Sequence, residues 1–332
     1  MAAPIQFTLD PDTVESRLAN QVLEGGRVAI YATGEIDAAA AVRFRQFVRD
    51  RGIEWAKVNF NSPGGSLIGG LQLGEAIREL GFDTDVHLPG YELDGPKAIC
   101  ASACAYSFAG GVNRFVDDRS GRLGIHQFYI GGDNTGDVGD TQMISGLIVS
   151  YLSRMGVSTI AFSVAVTANG QDMVWLDSAE AVSLGLANNG SQTTTAEIKM
   201  SGMIPYLRLE QVHSDHTSRV LFMCRPQGLM MSFGIVTTPD KTEMKFSGVQ
   251  RSYFEIDFKE AMSLDDQIGV SGQDSVLWIE RTLDAPTLLL LTKASELDGW
   301  TENGGAMRWG GKMDIRGVRA NIIAYAKNCA AG

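Results

Sequence analysis

The sequence predicts an α/β domain followed by a mainly antiparallel β domain. Strand-length apolar segments alternate with helical ones from Arg27 to Leu186, as strands and helices covering one another do. After the polar run Asn188 to Thr195 the pattern changes to short apolar segments separated by turn residues. The third observation is size: 332 residues, 44% hydrophobic and 20% charged, can bury a large core and exceed the usual size of one domain. The expected division is 1–200 and 201–332, with the boundary near 190 to 210.

Arg27 to Thr33 (RVAIYAT) predicts a strand, and Ala38 to Arg51 an amphipathic helix. Ala56 to Phe60 is the next strand, Ser66 to Leu80 a helix facing a sheet, and Thr84 to Leu88 a further strand. Cys104 to Gly110 is small and apolar, as a buried helix would be, and Arg114 to Val116 and Leu123 to His126 predict strands. Gly131 to Gly139 is a glycine-rich loop. Helices are expected over Thr141 to Met155, Thr159 to Thr167 and Ser178 to Leu184, the last capped by Asp177 or Ser178 and stopped by Gly185. Beyond residue 200, strands are expected at Arg219 to Met223, Leu229 to Val236, Met244 to Phe246, Tyr253 to Phe258, Ser275 to Ile279, Thr287 to Thr292 and Met313 to Ile315. A helix over Val318 to Lys327 follows. This pattern fits a sandwich or barrel, and no internal repeat is present.

A net charge of -11 argues against a nucleic-acid partner, because backbone binding rests on a basic surface. No run of 18 or more apolar residues predicts a transmembrane segment, and Leu288 to Leu291 is only of strand length. The N-terminus has neither a basic n-region nor an apolar h-region. A trimmed export precursor carrying a new Met would look much the same, so a periplasmic or secreted location is expected, with the cytoplasm as the alternative. Four cysteines, Cys100, Cys104, Cys224 and Cys329, form no CxxC. An oxidising compartment allows Cys100 with Cys104 and Cys224 with Cys329; a reducing one leaves four small hydrophobes. The first pair requires Cys100 to be non-helical.

The chemistry centres on Cys100-Ala-Ser-Ala-Cys104, where Ser102 stands just ahead of the small-residue helix. A serine hydroxyl is a weak nucleophile until an imidazole removes its proton, and the tetrahedral oxyanion needs fixed donors. His126, in Gly124-Ile-His-Gln127, is the candidate base. Pro63-Gly64-Gly65 presents backbone N–H groups without obstructing side chains, and small Ala101 and Ala103 leave the hydroxyl accessible. Each feature alone has a plain structural explanation, as a cap, a turn or a core histidine.

Four motifs in order and approximate spacing carry a resemblance. Asn61-Ser-Pro-Gly-Gly-Ser66, Cys100-Ala-Ser-Ala-Cys104 followed by Ala109-Gly-Gly111, Gly124-Ile-His-Gln127, and Ser178-Ala-Glu-Ala-Val-Ser-Leu-Gly-Leu186 resemble the proteolytic subunit of the Clp protease over residues 25 to 190. The resemblance implies a ClpP/crotonase-like core, a β-β-α spiral, and serine peptide hydrolysis. It implies Ser102 as nucleophile, His126 as general base, and Gly65 and Ala103 as the oxyanion-hole donors. No metal or organic cofactor is implied; the expected partners are a peptide or unfolded-protein substrate and, as a candidate assembly, a homo-oligomer. The family's catalytic aspartate falls on Met173, and Asp172, one residue earlier, is the expected third member. Asp177 is a nearby carboxylate that capping explains. Without a carboxylate the site becomes a Ser-His dyad, uses a carbonyl orienter or is degenerate.

Two departures stand out. Cysteines flank the nucleophile, as in an exported branch that staples its site, and the β domain has no counterpart in the Clp subunit. That domain is expected to select substrates, bind an envelope partner or block ring assembly. The alternatives are a noncatalytic envelope binding protein on this scaffold and a crotonase-like acyl-thioester enzyme. His213-Ser-Asp-His216 offers metal-capable groups of low specificity in a polar linker, and Trp278, Trp300 and Trp309 are most simply core or partly buried residues, with a recognition surface as the alternative.

Overall fold

Parallel strand pairing dominates the first part of the chain and antiparallel pairing the second, in a computed structural model that describes residues 3–9, 27–89, 95–128, 138–168, 172–305 and 308–330. The expected 131–139 loop falls outside the described residues up to residue 137. Two compact units divide the chain, Met1–Gly190 and Ser191–Gly332.

The first unit runs β1 (Gln6–Leu9), β2 (Val28–Thr33), α1 (Ala40–Arg51), β3 (Ala56–Asn61), α2 (Leu67–Glu79), β4 (Asp83–Asp85), β5 (Ala98–Ala101), α3 (Ala103–Ala109), β6 (Arg114–Phe115), β7 (Gly121–Ile125), α4 (Val138–Arg154), α5 (Ile160–Ala165), β8 (Val174–Leu176) and α6 (Ser178–Ser183). One sheet has the order β1-β2-β3-β4-β6, parallel except for the β1–β2 pair. A second has the order β5-β7-β8, in which β5 and β7 are parallel and β7 and β8 antiparallel. The two meet just beyond β3, where Ser62 N–H donates to Ile99 O (2.7 Å) and Ala101 N–H to Ser62 O (3.1 Å). That stitch joins the glycine turn to the strand leading into Ser102.

Helix α1 buries Ala40, Ala41, Phe44 and Val48, an i, i+4, i+8 stripe, and stops at Gly52 in the left-handed region (φ 59°). Ser66 caps α2 by accepting from Gly69 N–H at 3.1 Å. The buried face of α2 carries Gly70 and Gly74, against which α3 lies closely. A Cβ on Gly74 would sit 2.8 Å from Tyr106 O, and one on Gly70 3.1 Å from the Ala103 carbonyl carbon. The far end of α3 is held by two arginines. Arg78 donates to Gly110 O (2.8 Å) and Gly111 O (2.7 Å), and the buried Arg114 to Gly111 O (3.0 Å), Gly185 O (3.0 Å) and Leu186 O (2.8 Å). Burial, with Arg78 adding to it, pulls the Arg114 guanidinium down to about 10, so it stays charged at neutral pH. Asp177 caps α6 through a reciprocal capping box with Glu180.

The second unit runs β9 (Thr195–Ser201), β10 (Ile204–Val212), β11 (Thr217–Arg225), β12 (Gly228–Val236), α7 (Pro239–Ser247), β13 (Arg251–Ile256), β14 (Lys259–Asp265), β15 (Val270–Gln273), β16 (Val276–Thr282), α8 (Ala285–Leu291), β17 (Glu296–Glu302), β18 (Arg308–Asp314) and α9 (Arg319–Ala330). Two antiparallel sheets, β15-β16-β12-β11-β10-β9 and β14-β13-β17-β18, share a core of Phe222, Phe233, Phe254, Leu297 and Met313. Phe233 packs on Gly299, where a Cβ would lie 2.5 Å from its ring. Tyr325 of α9 donates to Pro205 O at 2.8 Å.

Two expected strands are helical. Met244 to Phe246 lies in α7, started by Pro239 after the extended Thr238, and Leu288 to Leu291 lies in α8, where Asp284 accepts from Thr287 N–H at 2.8 Å. The apolar run has strand length, but leucine is a strong helix former, and the cap and Pro286 before it start the helix. His213 and His216 lie in the β10–β11 hairpin rather than in a linker. Their rings stack at 4.5 Å; His213 bonds Ser191 Oγ and Lys312 O, each at 2.9 Å. Among the described residues no group of three or more metal-capable side chains converges.

Asp298 on β17 is 1% exposed, and neither carboxylate oxygen has a hydrogen-bond partner. Burial first, and then the charge of Glu296, push it up to about 7; the half-exposed Lys312, 3.9 Å away, offsets this only in part. The native state therefore holds a proton that the unfolded chain releases near pH 3.9, so this group's stabilisation falls as pH rises from about 4 to about 7. Asp298→Asn is expected to abolish that loss. Urea melts of both proteins at pH 5 and pH 8 measure it as a smaller pH difference in the variant.

Candidate active site

Ser102 forms the one-residue turn from β5 into α3, with φ 57° and ψ −124°. A non-glycine residue in such a conformation costs about 1–3 kcal/mol and persists only where its surroundings fix it. Three constraints do so. Ala101 N–H is bound by Ser62 O, Ser102 N–H donates to Gly124 O at 3.0 Å, and the Cys100–Cys104 disulfide spans the turn with Cα atoms 5.1 Å apart. Cys100 ends a strand while Cys104 is helical, which meets the geometric condition for the bond. Such a strand–turn–helix elbow projects a side chain from the sheet edge.

Register brings the histidine alongside. The parallel β5–β7 ladder pairs Ala98 with Gly121 through Ala101 with Gly124, so Ser102 and His126 leave neighbouring strands at the same edge. Adjacent strands lie about 4.8 Å apart. His126 is half-buried, and its Nδ1 is buried without a hydrogen-bond partner. Among the described residues no hydrogen bond joins the Ser102 hydroxyl to that ring, a looseness common in unliganded sites.

The glycine turn closes the other side. Gly64 has φ 102°, and a Cβ there would lie 2.6 Å from Ala101 O and 2.7 Å from Ser102 Cβ, so only glycine fits above the nucleophile. Gly64 O accepts from Ile36 N–H and Ile36 O from Ser66 N–H, each at 2.7 Å, while Gly64 N–H donates to Ser62 Oγ at 3.2 Å. Those bonds leave Gly65 N–H without an acceptor among the described residues. Ala103 N–H, in the first turn of α3, is likewise unspent. Gly64→Ala is expected to cost about 1–3 kcal/mol of stability through overpacking and to displace Ser102. Thermal melting together with labelling by a serine-reactive phosphonate detects both effects.

The expected carboxylate makes no hydrogen bond to His126 Nδ1. The antiparallel β7–β8 register, Leu123 with Leu176 to Ile125 with Val174, carried one pair further sets Met173 across from His126. Met173 Cγ and Sδ lie 2.8 and 2.9 Å from where a Gly124 Cβ would stand, with Trp175 beside them, so a thioether and an indole floor this face. Asp172 is exposed and does not hydrogen-bond His126 Nδ1. The close Gly64–Ser102 contact and the Met173–Trp175 floor have no signature in residue type alone.

A second serine–histidine–aspartate line occurs in the other unit. Ser218 Oγ is 3.3 Å from His216 Nε2, whose Nδ1 is 2.9 Å from Asp215. Ser218 is fully buried, so no substrate reaches it.

No protein-family model matches the chain. No curated protein matches it either. Solved structures of similar fold include 1510-N, a membrane-bound stomatin-specific protease in a mutant form, at 16% identity and a TM-score of 0.34, over 46% of this chain and 73% of that one. The likeness is a distant one of fold alone. No helix among the described residues is long and apolar enough to cross a membrane.

Proposed function

We propose that the chain is a serine peptidase that cleaves exposed or unfolded peptide segments through an acyl-enzyme. The observation that supports this reading is the β5–β7 register, from which a conformationally constrained Ser102, packed closely on Gly64, and His126 leave neighbouring strands at one sheet edge. His126 takes the Ser102 proton as Oγ attacks the carbonyl, and Gly65 and Ala103 N–H groups receive the oxyanion. The imidazolium then protonates the leaving amine, and the neutral ring activates water to release the acid. The four-motif resemblance to the Clp proteolytic subunit supports the same roles.

The geometry favours a serine–histidine pair, with the ring oriented by packing against neighbours. Asp172 enters this proposal as the carboxylate next to the register position of His126, reaching it only if the Asp172–Met173 segment shifts. The disulfides Cys100–Cys104 and Cys224–Cys329 support an oxidising compartment, periplasmic or extracellular.

A fluorophosphonate tests the reading directly. The intact protein is expected to gain one adduct, located on Ser102 by peptide mapping, and Ser102→Ala to gain none. An adduct that persists in the alanine variant removes Ser102 from the role of nucleophile.

A further inference from the structure

The six-stranded sheet of the second unit ends at β9, a seven-residue strand with β10 on one side and no strand on the other among the described residues. Long open edges invite pairing and are usually blunted. This one is not. Ile198 and Met200 are 60% and 59% exposed, and Met203 and Ile204 at the hairpin tip are 94% and 42% exposed. Ile198 stands opposite Leu207, and Ala196 opposite Leu209, both buried, so Ala196, Ile198 and Met200 extend the core-facing side of the sheet out to its edge.

We propose that a second copy of this chain covers this edge, with β9 pairing antiparallel to its own counterpart across a two-fold axis at Ile198. The strand reads Thr195-Ala-Glu-Ile-Lys-Met-Ser201, and it is self-complementary about its centre. In that register Ile198 faces itself, Glu197 faces Lys199 of the other copy, Ala196 faces Met200, and Thr195 faces Ser201. Apolar meets apolar on one face, while on the other each carboxylate meets an ammonium. Within one copy Glu197 already binds Lys199 (2.8 Å) and Arg208 (3.1 Å), so the charges sit on the correct face. An isologous interface requires this kind of self-complementarity.

The backbone agrees independently. Gly202 (φ 61°) and Met203 form a two-residue hairpin connection between Ser201 and Ile204. The residues flanking such a turn exchange hydrogen bonds with each other, and alternation then spends the groups of Ser201, Lys199, Glu197 and Thr195 on β10. The N–H and C=O groups of Ala196, Ile198 and Met200 point outward. A two-fold at Ile198 pairs these three residues with their counterparts as hydrogen-bonded pairs, whereas a one-residue shift would pair outward groups with inward ones.

Analytical ultracentrifugation and cysteine trapping on the full chain test the proposal. The wild type is expected to sediment as a dimer at micromolar concentration. Ile198→Pro removes only an outward donor and is expected to give a folded monomer by circular dichroism. Glu197→Lys is expected to weaken the dimer at least roughly tenfold by setting ammonium against ammonium twice, and combining it with Lys199→Glu to restore it. Ile198→Cys is expected to form an intermolecular disulfide, since opposed Cα atoms in such a pair lie about 5.5 Å apart. Glu197→Cys, out of register with itself, is expected not to. A wild type that stays monomeric overturns the proposal, as does a dimer indifferent to Ile198→Pro or to the charge reversal. Protection of the β9 amides that requires an added unfolded peptide also overturns it, assigning the edge to substrate.

Discussion

Ser102→Ala is expected to lower kcat for an unstructured peptide by about a millionfold, to the level set by substrate binding and the oxyanion donors alone. His126→Ala is expected to do the same, and the double variant no worse, because nucleophile and base act as one unit. The measurement is kcat and KM on a fluorogenic peptide, with KM nearly unchanged in each variant. Asp172→Asn separates the two forms of the site. Since Asp172 makes no bond to His126 Nδ1, its loss is expected to change kcat by less than roughly threefold, against the about ten-thousandfold loss seen when a triad carboxylate is neutralised. A loss near the larger figure would mean that Asp172 swings in when substrate binds.

The second large effect concerns the disulfides. Cys224 and Cys329 join β11 to α9 across a sequence separation of 105, with Cα atoms 5.5 Å apart. Closing a loop of that length restricts the unfolded chain by about 4.7 kcal/mol in the chain-entropy account. Replacing both cysteines with serine is expected to remove most of that stabilisation from the second unit, while phosphonate labelling at Ser102 survives. The Cys100–Cys104 bond closes a far shorter loop, and its removal is expected to cost only about 2 kcal/mol. Its removal should nevertheless slow labelling, because the bond constrains the positive-φ turn that carries the hydroxyl. Urea melts paired with labelling rates measure the contrast. Both cysteines of the shorter loop are fully buried, so a mild reductant is expected to leave the folded site intact.

Legibility differed between the units for physical reasons. The parallel core announced itself because β2 is buried and apolar, β3 alternates Ala56, Val58 and Phe60 with polar residues, and α1 carries its buried residues on one stripe. β5 was not anticipated, since Ala98-Ile-Cys-Ala101 is short, small and not alternating. β9 and β10 escaped for the opposite reason. β9 does alternate polar and apolar residues from Thr195 to Ser201, but it follows directly on the polar run 188–195 and most of its side chains are exposed, so pairing with β10 rather than burial makes it a strand. In α8 a capping aspartate and a proline start a helix that the four leucines also favour, which a reading by run length alone overlooks.

By itself the sequence determined the two-part architecture, the candidate pair Ser102 and His126, and the glycine turn before them, because periodicity and small-residue motifs are local properties of the chain. It also singled out Met173 as the residue standing where a carboxylate was expected. Only the tertiary structure decided how these parts meet. The β5–β7 register brings the ends of the strands that lead to Ser102 and His126 to one sheet edge, a Cβ on Gly64 would lie under 3 Å from Ser102, and Met173 packs against Gly124 while Asp172 is exposed. Those outcomes depend on which strands pair and in what register, a choice made by the whole core at once.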